Sequence, residues 1–577
     1  MKSKWLVYAK KADFKAIEQK YGIDQVIARI MRNRDVCTDE EMQMYLNGSI
    51  DGLHAPELLK DAQKAVDILT EKIAQHKKIR IIGDYDIDGI CSITILYKAL
   101  KKAGADVDYV VPHRITDGYG INEHLIDNAA AEGKDTILTC DNGIAAIPQI
   151  QYAKEHGLTV IVTDHHDIPF TEENGEKKLL TSCADAIVDP KQPDCEYPFD
   201  KICGAVVAYK VMQILYEKLG LDKTDFKEYT ELAAIATVGD VVDLKDENRV
   251  IVRQGLAWIA TTKNTGLRAL IDKSGISEAP SAFHLGYVLG PRINACGRVG
   301  EASLGNKLLC SRDDFQAGQL ADKLNEFNAQ RKEIEAYVLL SAIEMLEGTP
   351  QEYPIAFAAG KDWHQGVVGI VAGKLKERYN VPAFVMSIEP DEVKGSARSV
   401  PGVDLGALII AAKEKGLLTK GGGHTMAAGF SLSEDKIEAF RRFAGEYVRQ
   451  KLGEEDVAPV IEVDSALDLL GANTDFAAAL ELLEPFGAGN AEPKIVLEHV
   501  RIVKPGIVGA GHVRCFLTSG NGGSLKAMAF KIADTELGKT LLNSQGAVFD
   551  IAGVLRRDNW QGRNSVQFII DDAIRCE

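Results

Sequence analysis

Between residues 79 and 164 the chain alternates short, wholly apolar runs with longer stretches of helical pattern. IRIIG (79–83), VDYVV (107–111), TILTC (136–140) and TVIVT (159–163) are the apolar runs, rich in β-branched residues. A strand buried on both faces needs that continuity, where a half-exposed strand would alternate apolar and polar positions. The intervening ITILYKALKKAG and AAIPQIQYAKEHG have the composition and spacing of helices. The alternation predicts βαβ units, hence a parallel sheet covered by helices on both sides. Ligands of such sheets bind beyond the carboxyl ends of the strands, so the strand ends are where chemistry is to be sought.

The pattern elsewhere divides the chain further. Residues 1–75 read as a helical lead-in without chemistry, and 76–311 hold the parallel-sheet domain. Residues 312–348 carry Phe315, Leu320, Leu324, Phe327, Ile334, Leu340 and Ile343 among many charges and stop at Gly348-Thr349-Pro350, as a long amphipathic connecting helix would. A second α/β domain is expected over 349–456. From 457 to 577 short apolar runs are broken by GAGN, KPGIVGAGH and SGNGG, the pattern of a small β-barrel. The fold class is therefore α/β with a terminal barrel.

Composition adds limits. A chain of 577 residues exceeds one core at about 100–200 residues per domain. No stretch approaches the roughly 20 apolar residues of a membrane span, and MKSKWLVYAKKADFKAIEQK lacks the apolar centre of a secretory signal, so no membrane association and a cytoplasmic location are expected. The ten cysteines include no CxxC pair, which points to reduced, buried thiols. A net charge of −17 works against nonspecific phosphate binding, yet carboxylates that hold cations add to that count while reversing its local sign.

Candidate chemistry collects at the strand ends. DYDIDG (84–89) follows the first strand, DNG (141–143) the third and DHH (164–166) the fourth. Asp84, Asp86 and Asp88 cannot stay close together as anions without a cation, and mixed Asp and His donors suit Mn²⁺, with Mg²⁺ the second choice. Asp240, in IATVGDVVDL, reads either as a further contributor or as a helix N-cap. An EF-hand loop, which also opens D-x-D-x-D-G, fails because Ile95 stands at its twelfth position and a strand precedes it. In the second α/β domain, GGGHTMAAG (421–429) offers a glycine loop with His424 for a phosphate, and GSARS (395–399) offers Ser396 and Arg398. Arg114 follows the second strand in HRITDGYG (113–120). Arg292 and Arg298 lie in GPRINACGR (290–298), a Gly-rich stretch expected to be irregular.

DYDIDG, DNG, DHH and the later Gly239-Asp240 together resemble the motif set of the DHH phosphoesterase superfamily. GGGHTMAAG, GSARS and WHQGVVGIVAGKL (363–375) resemble its DHH-associated domain. GPRINACGR and PFGAGNAEP (485–493) are similar to its single-strand-specific exonuclease branch, and the likeness runs from residue 76 to the end. The resemblance implies that Asp84, Asp86 and Asp141 hold one Mn²⁺ and that Asp88, Asp141, His165 and Asp240 hold a second, with Asp141 bridging and His166 beside the scissile phosphate. Arg114, Arg292, Arg298, Ser396, Arg398 and His424 would then bind substrate, and the barrel, which the resemblance makes one of the oligonucleotide-binding (OB) kind, would extend the strand-binding track. The implied activity is 5′→3′ hydrolysis of single-stranded DNA to nucleoside 5′-monophosphates, in DNA repair and recombination. A single-strand-binding protein and a RecQ-type helicase are the implied partners. A short-oligonucleotide phosphodiesterase of the same superfamily would lack the long helix and barrel, and an inactive single-strand-binding replication scaffold would have lost the acidic set present here. A pyrophosphatase would need neither added domain.

Overall fold

The structure is a computed structural model that describes residues 4–114, 116–173, 176–348, 352–453, 460–558 and 565–576. Ile115, Thr349, Pro350 and the segment starts expected at 349 and 457 lie outside the described residues. The chain forms two compact units, one running to residue 290 and resuming at 460, the other spanning 291–459.

The apolar runs form strands because their residues are covered on both faces. β1 (Lys78–Ile82), β2 (Asp106–Val110), β3 (Thr136–Cys140), β4 (Thr159–Thr163) and the short β5 (Ala186–Val188) make a parallel sheet in the order β2-β1-β3-β4-β5. Helices Glu123–Ala131 and Ile147–Glu155 cover one face, with Ile126 and Ile150 in one cluster with Ile82, Ile137 and Val160. α1 (Ile87–Lys102) connects β1 to β2 and packs against α2 (Gly204–Leu219). The chain leaves β1 toward β2 but builds β3, β4 and β5 on the other side, so the strand order reverses between β1 and β3. A crevice opens at such a reversal, because right-handed crossovers put the flanking helices on opposite faces. α3 (Phe226–Gly239) and α4 (Asp246–Ile259) pack on each other, and α3 also packs against α1, α2 and a π-helical turn, His284–Leu289.

In the second unit, α5 (Gly290–Val299) carries Arg292 and Arg298. The glycines of that stretch do not make it irregular, since Gly290 and Gly297 both lie within the helix. α6 (Asp314–Glu347) is 34 residues long. Its buried stripe differs from the expected one: Leu320 and Leu324 are inside, whereas Phe315 and Leu340 are 75% and 62% exposed. Small residues (Ala317, Ala321, Ala342) and a buried Asn328–Arg331–Glu335 cluster take their place. α7 (Gln365–Tyr379) then packs on a sheet of β6 (Ala356–Lys361), β7 (Ala383–Ile388), β8 (Val393–Arg398), β9 (Lys420–His424) and β10 (Ala427–Leu432), ordered β9-β10-β8-β7-β6. GGGHTMAAG is thus a β-hairpin and not a loop, with Gly421–His424 paired to Ala427–Phe430.

The first unit resumes as a barrel of β11 (Ile495–Val508), β12 (His512–Ser519), β13 (Gly522–Ala529), β14 (Val548–Asp558) and β15 (Ser565–Arg575), closed by pairing of β11 with β14. KPGIV belongs to β11, where a bulge between Val503 and Gly506 absorbs the proline and glycine. The lead-in is not a separate layer. Ile27, Ile30 and Met31 share one apolar cluster with Leu483, Ile495, Leu517 and Phe568, and the strand Lys4–Val7 pairs in parallel with Val460–Val463. Among the described residues no helix is long and apolar enough to cross a membrane.

Candidate active site

Each strand-end motif is shaped by a local device. A Cβ on Gly89 would lie 2.4 Å from the Asp84 carbonyl oxygen, so glycine is what lets α1 begin against the end of β1. Asp86 caps that helix by accepting from the N–H groups of Asp88 (3.0 Å) and Gly89 (3.1 Å). Asp88 in turn accepts from Gly204 (2.6 Å) and Ala205 (2.7 Å), the first N–H groups of α2, whose dipole favours a negative charge. At the end of β3, Asp141 sits at φ 58°, a left-handed conformation that Asp tolerates better than most residues. Beside it, Asn142 donates to the carbonyls of Ile82 and Cys140 and accepts from Ile121 N–H, tying β1 and β3 to the next loop.

These devices bring six side chains to one edge. Ligand atoms of Asp84, Asp86 and Asp141 converge, as do those of Asp88, His165 and Asp240, each set within 4.8 Å. His165 Nε2 lies 3.1 Å from Asp141, 3.5 Å from Asp88 and 3.8 Å from Asp240, which links the two sets through Asp141. Asp240 closes the C-terminus of α3 and does not cap a helix N-terminus. Burial, reinforced by the charge of Asp86, pushes Asp84 well above the ordinary carboxylate range. Burial and the charge of Asp88 do the same to Asp141 and Asp240, and burial raises Asp88 and lowers His165. Asp84 Oδ1 is buried without a hydrogen-bond partner. Four carboxylates held at such cost, one of them with an orphaned oxygen, form a donor set that a divalent cation satisfies.

His166 faces outward from the same edge. Burial opposes charge on its ring, but the 2.7 Å hydrogen bond between Nδ1 and Asp164 wins and lifts it to about 9. Burial also acts against an ionised Asp164, yet His166 and the N–H of Ile144 hold it below the usual range. Tyr119 donates to the Asp141 carbonyl at 2.8 Å and lies 3.3 Å from His166 Nε2. Arg114 stacks over Tyr85, 4.9 Å from the ring centroid, and Tyr85 meets Tyr119 edge-on. Asp164, Asn142 and Tyr119 escaped the sequence reading, although all three lie in motifs quoted there.

The remaining residues singled out in the sequence lie in the second unit. Arg298 donates to Gly366 O (3.0 Å) in the first turn of α7, which His364 caps. One turn on, Gly369 approaches Ser396 and Arg398, so that a Cβ there would meet Ser396 Oγ at 3.0 Å and Arg398 Nη2 at 3.4 Å. Across the sheet Ser396 pairs with Gly429 and Gly429 with Gly422, a row whose two glycines leave bare backbone. His424 ends β9 and is exposed. Arg292 donates to Asn325 (2.6 Å) on α6, and burial lowers its guanidinium pKa.

The comparisons with known proteins agree with this layout. Family descriptions match in three places: the DHH family N-terminal domain over residues 78–237, the DHHA1 domain over 352–450 and the RecJ OB domain over 463–572. The crystal structure of RecJ in complex with Mn²⁺ from Thermus thermophilus superposes with a TM-score of 0.83 at 28% identity, covering 100% of this chain and 80% of that one. Its complex with Mg²⁺ gives 0.78 at 26%, covering 100% and 79%. The single-stranded-DNA-specific exonuclease RecJ of Bacillus subtilis is 34% identical over 582 residues, covering all of this chain and 71% of the relative. With that identity sustained from end to end and all three domains in order, the chain belongs to the RecJ family.

Proposed function

We propose that the protein is a single-stranded-DNA-specific exonuclease that works from the 5′ end and releases nucleoside 5′-monophosphates. The observation that carries this reading is the pair of donor sets, Asp84/Asp86/Asp141 and Asp88/His165/Asp240, meeting at Asp141 on the edge where the strand order reverses. Asp84, Asp86 and Asp141 would hold one divalent cation, and Asp88, Asp141, His165 and Asp240 a second. Mn²⁺ suits the imidazole donor better than Mg²⁺. Bound there, the cations would supply the charge that lowers the pKa of an attacking water and offsets charge on the phosphoryl oxygens.

The chain's own groups do the rest. His166, kept protonated by Asp164, offers a charged N–H at Nε2 to a phosphate oxygen. Tyr119 holds the Asp141 carbonyl through its hydroxyl and meets the His166 ring edge-on, and Arg114 adds a guanidinium fork at the same edge. In the second unit Ser396, Arg398 and the bare Gly422–Gly429 row beside α7 suit a terminal phosphate, and Arg292, Arg298 and His424 add positive groups or donors for the following ones. The sections 76–311, 312–348, 349–456 and 457–577 would then serve as metal domain, connecting helix, end-recognition domain and strand-binding barrel behind the lead-in at 1–75. Work on unwound strands in repair and recombination in the cytoplasm would engage a single-strand-binding protein and a RecQ-type helicase.

Single strands labelled at either end, incubated with the protein and Mn²⁺, test this. A 5′ label should leave at once as a mononucleotide, and a 3′ label should pass through successively shorter strands. Asp141→Ala should lower the rate at saturating Mn²⁺ at least about 100-fold, a loss of roughly 3 kcal/mol of transition-state stabilisation. Arg398→Ala should erase most of the advantage of a 5′-phosphate over a 5′-hydroxyl. Degradation of a 5′-blocked strand together with resistance of a 3′-blocked one would reverse the polarity.

A further inference from the structure

The π-helical turn His284–Leu289 and the residue just before it present two aromatic side chains that no core accounts for. Phe283 and Tyr287 are 61% and 75% exposed, and their rings stack at 5.1 Å between centroids and 23° between planes. Contiguous exposed apolar surface, such as these paired rings make, marks interaction sites, and single π-turns cluster at functional sites. The turn is seated beside the acidic edge, since a Cβ on Gly286 would meet Val238 at 3.3 Å on α3, two residues before Asp240. Both rings line a groove of about 1240 Å³ that also takes in Gly239 and Val241, the neighbours of Asp240. Val241 is itself 70% exposed and held at φ 60°, a costly backbone for a β-branched residue.

The charges of this groove say what kind of contact it offers. Its arginines are engaged: Arg556 pairs with Glu492, Arg557 with Glu481, and Arg253 donates to the carbonyls of Leu46 and Gly48. Glu278 and Glu484 also line it. A groove so neutralised has little to attract a phosphate backbone, whereas two parallel rings with a free flat side suit a nucleobase.

We infer that Phe283 and Tyr287 form a base-stacking platform that holds a nucleobase of the single strand within a few nucleotides of the metal edge. The inference rests on the exonuclease reading above and adds a substrate contact made through bases where the arginines act through phosphates. Removal of the platform should weaken strand binding without changing its salt dependence, because no counterion is released by stacking.

The test uses the full-length protein with 5′-phosphorylated strands carrying 2-aminopurine at successive positions and non-hydrolysable linkages. One or two adjacent positions should be quenched on binding, and the quenching should vanish in Phe283→Leu/Tyr287→Leu, which keeps apolar bulk but loses the flat faces. With cleavable strands that variant should show about a tenfold higher KM and an unchanged slope of affinity against salt. An abasic site at the quenched position should raise the wild-type KM to the same level and leave the variant's KM where it was. If the wild type degrades strands and the double variant matches it in KM and quenching, the platform is overturned. If the variant loses affinity with a changed salt slope, or remains sensitive to the abasic site, stacking is also overturned. Failure of the wild type to degrade single strands with Mn²⁺ would instead strike the exonuclease reading itself.

Discussion

Asp240 closes the C-terminal end of α3, where the helix dipole and the neighbouring carboxylates all disfavour a negative charge. The arrangement is tolerable only with a counter-charge, so it has the character of a waiting ligand and not of a structural cap. Gly204 makes a comparable point by having no side chain. A Cβ there would lie 2.9 Å from Asp141 Cβ and 3.1 Å from Asp88 Oδ2, between two carboxylates that belong to different donor sets. Gly204→Ala should therefore fold, at an overpacking cost of about 1–3 kcal/mol, yet lose Mn²⁺ affinity and at least about tenfold in rate. Calorimetric Mn²⁺ titration beside a melting curve separates the two effects, and wild-type metal affinity in this variant would show that the close approach is not needed. The aspartates of DYDIDG and DNG and the histidines of DHH were legible from sequence because strand ends are predictable from apolar runs. Gly204 was not, because its role arises from contacts with Asp88 and Asp141, both more than 60 residues away.

At the scale of elements, α4 is tied to its neighbours by one buried arginine. Arg249 donates to the carbonyls of Tyr45 (3.0 Å), Leu483 (2.9 Å) and Leu482 (3.0 Å), and its guanidinium lies 3.7 Å from the Tyr45 ring centroid. Burial lowers its pKa to about 10, so the charge survives at neutral pH. The Leu483 carbonyl also accepts from Asn490 Nδ2 at 2.8 Å, but the fork ties all three carbonyls to α4, and Arg249→Met should cost about 2–5 kcal/mol. Arg249→Lys should recover little, because an ammonium cannot span three acceptors arranged for a planar fork. Denaturant unfolding of both variants checks this, and a lysine variant as stable as the wild type would refute the role of the fork. Nothing in NRVIVRQGLAWI distinguishes this arginine from a solvated one on an amphipathic helix. The same blindness affected α6: Phe315 and Leu340 fit its apolar pattern but stand in solvent, while Arg331 donates to Asn328 and Glu335 inside.

For the whole molecule, the pattern of Gly-rich turns was sufficient to read a barrel but not to show what completes it. Because Ile27, Ile30 and Met31 lie in one cluster with Leu483, Ile495, Leu517 and Phe568, the barrel is not a removable appendage. A chain cut at residue 456 would expose that lead-in surface together with Tyr45, whose hydroxyl is hydrogen-bonded to Asn490 at 2.9 Å. Such a fragment should aggregate or melt without cooperativity and should lose cleavage of a pentanucleotide along with that of long strands. A soluble 1–456 fragment with a sharp transition and intact pentanucleotide cleavage would show the barrel to be independent after all. The unit that contains the acidic edge is also interrupted in sequence: it stops at residue 290 and resumes at 460. During synthesis its first part must therefore wait on the ribosome for residues that come last, and at about 5–20 residues per second the wait is on the order of tens of seconds. Over that interval the intervening unit, whose residues are contiguous, has everything it needs to fold, while the lead-in helices offer their apolar faces to chaperones.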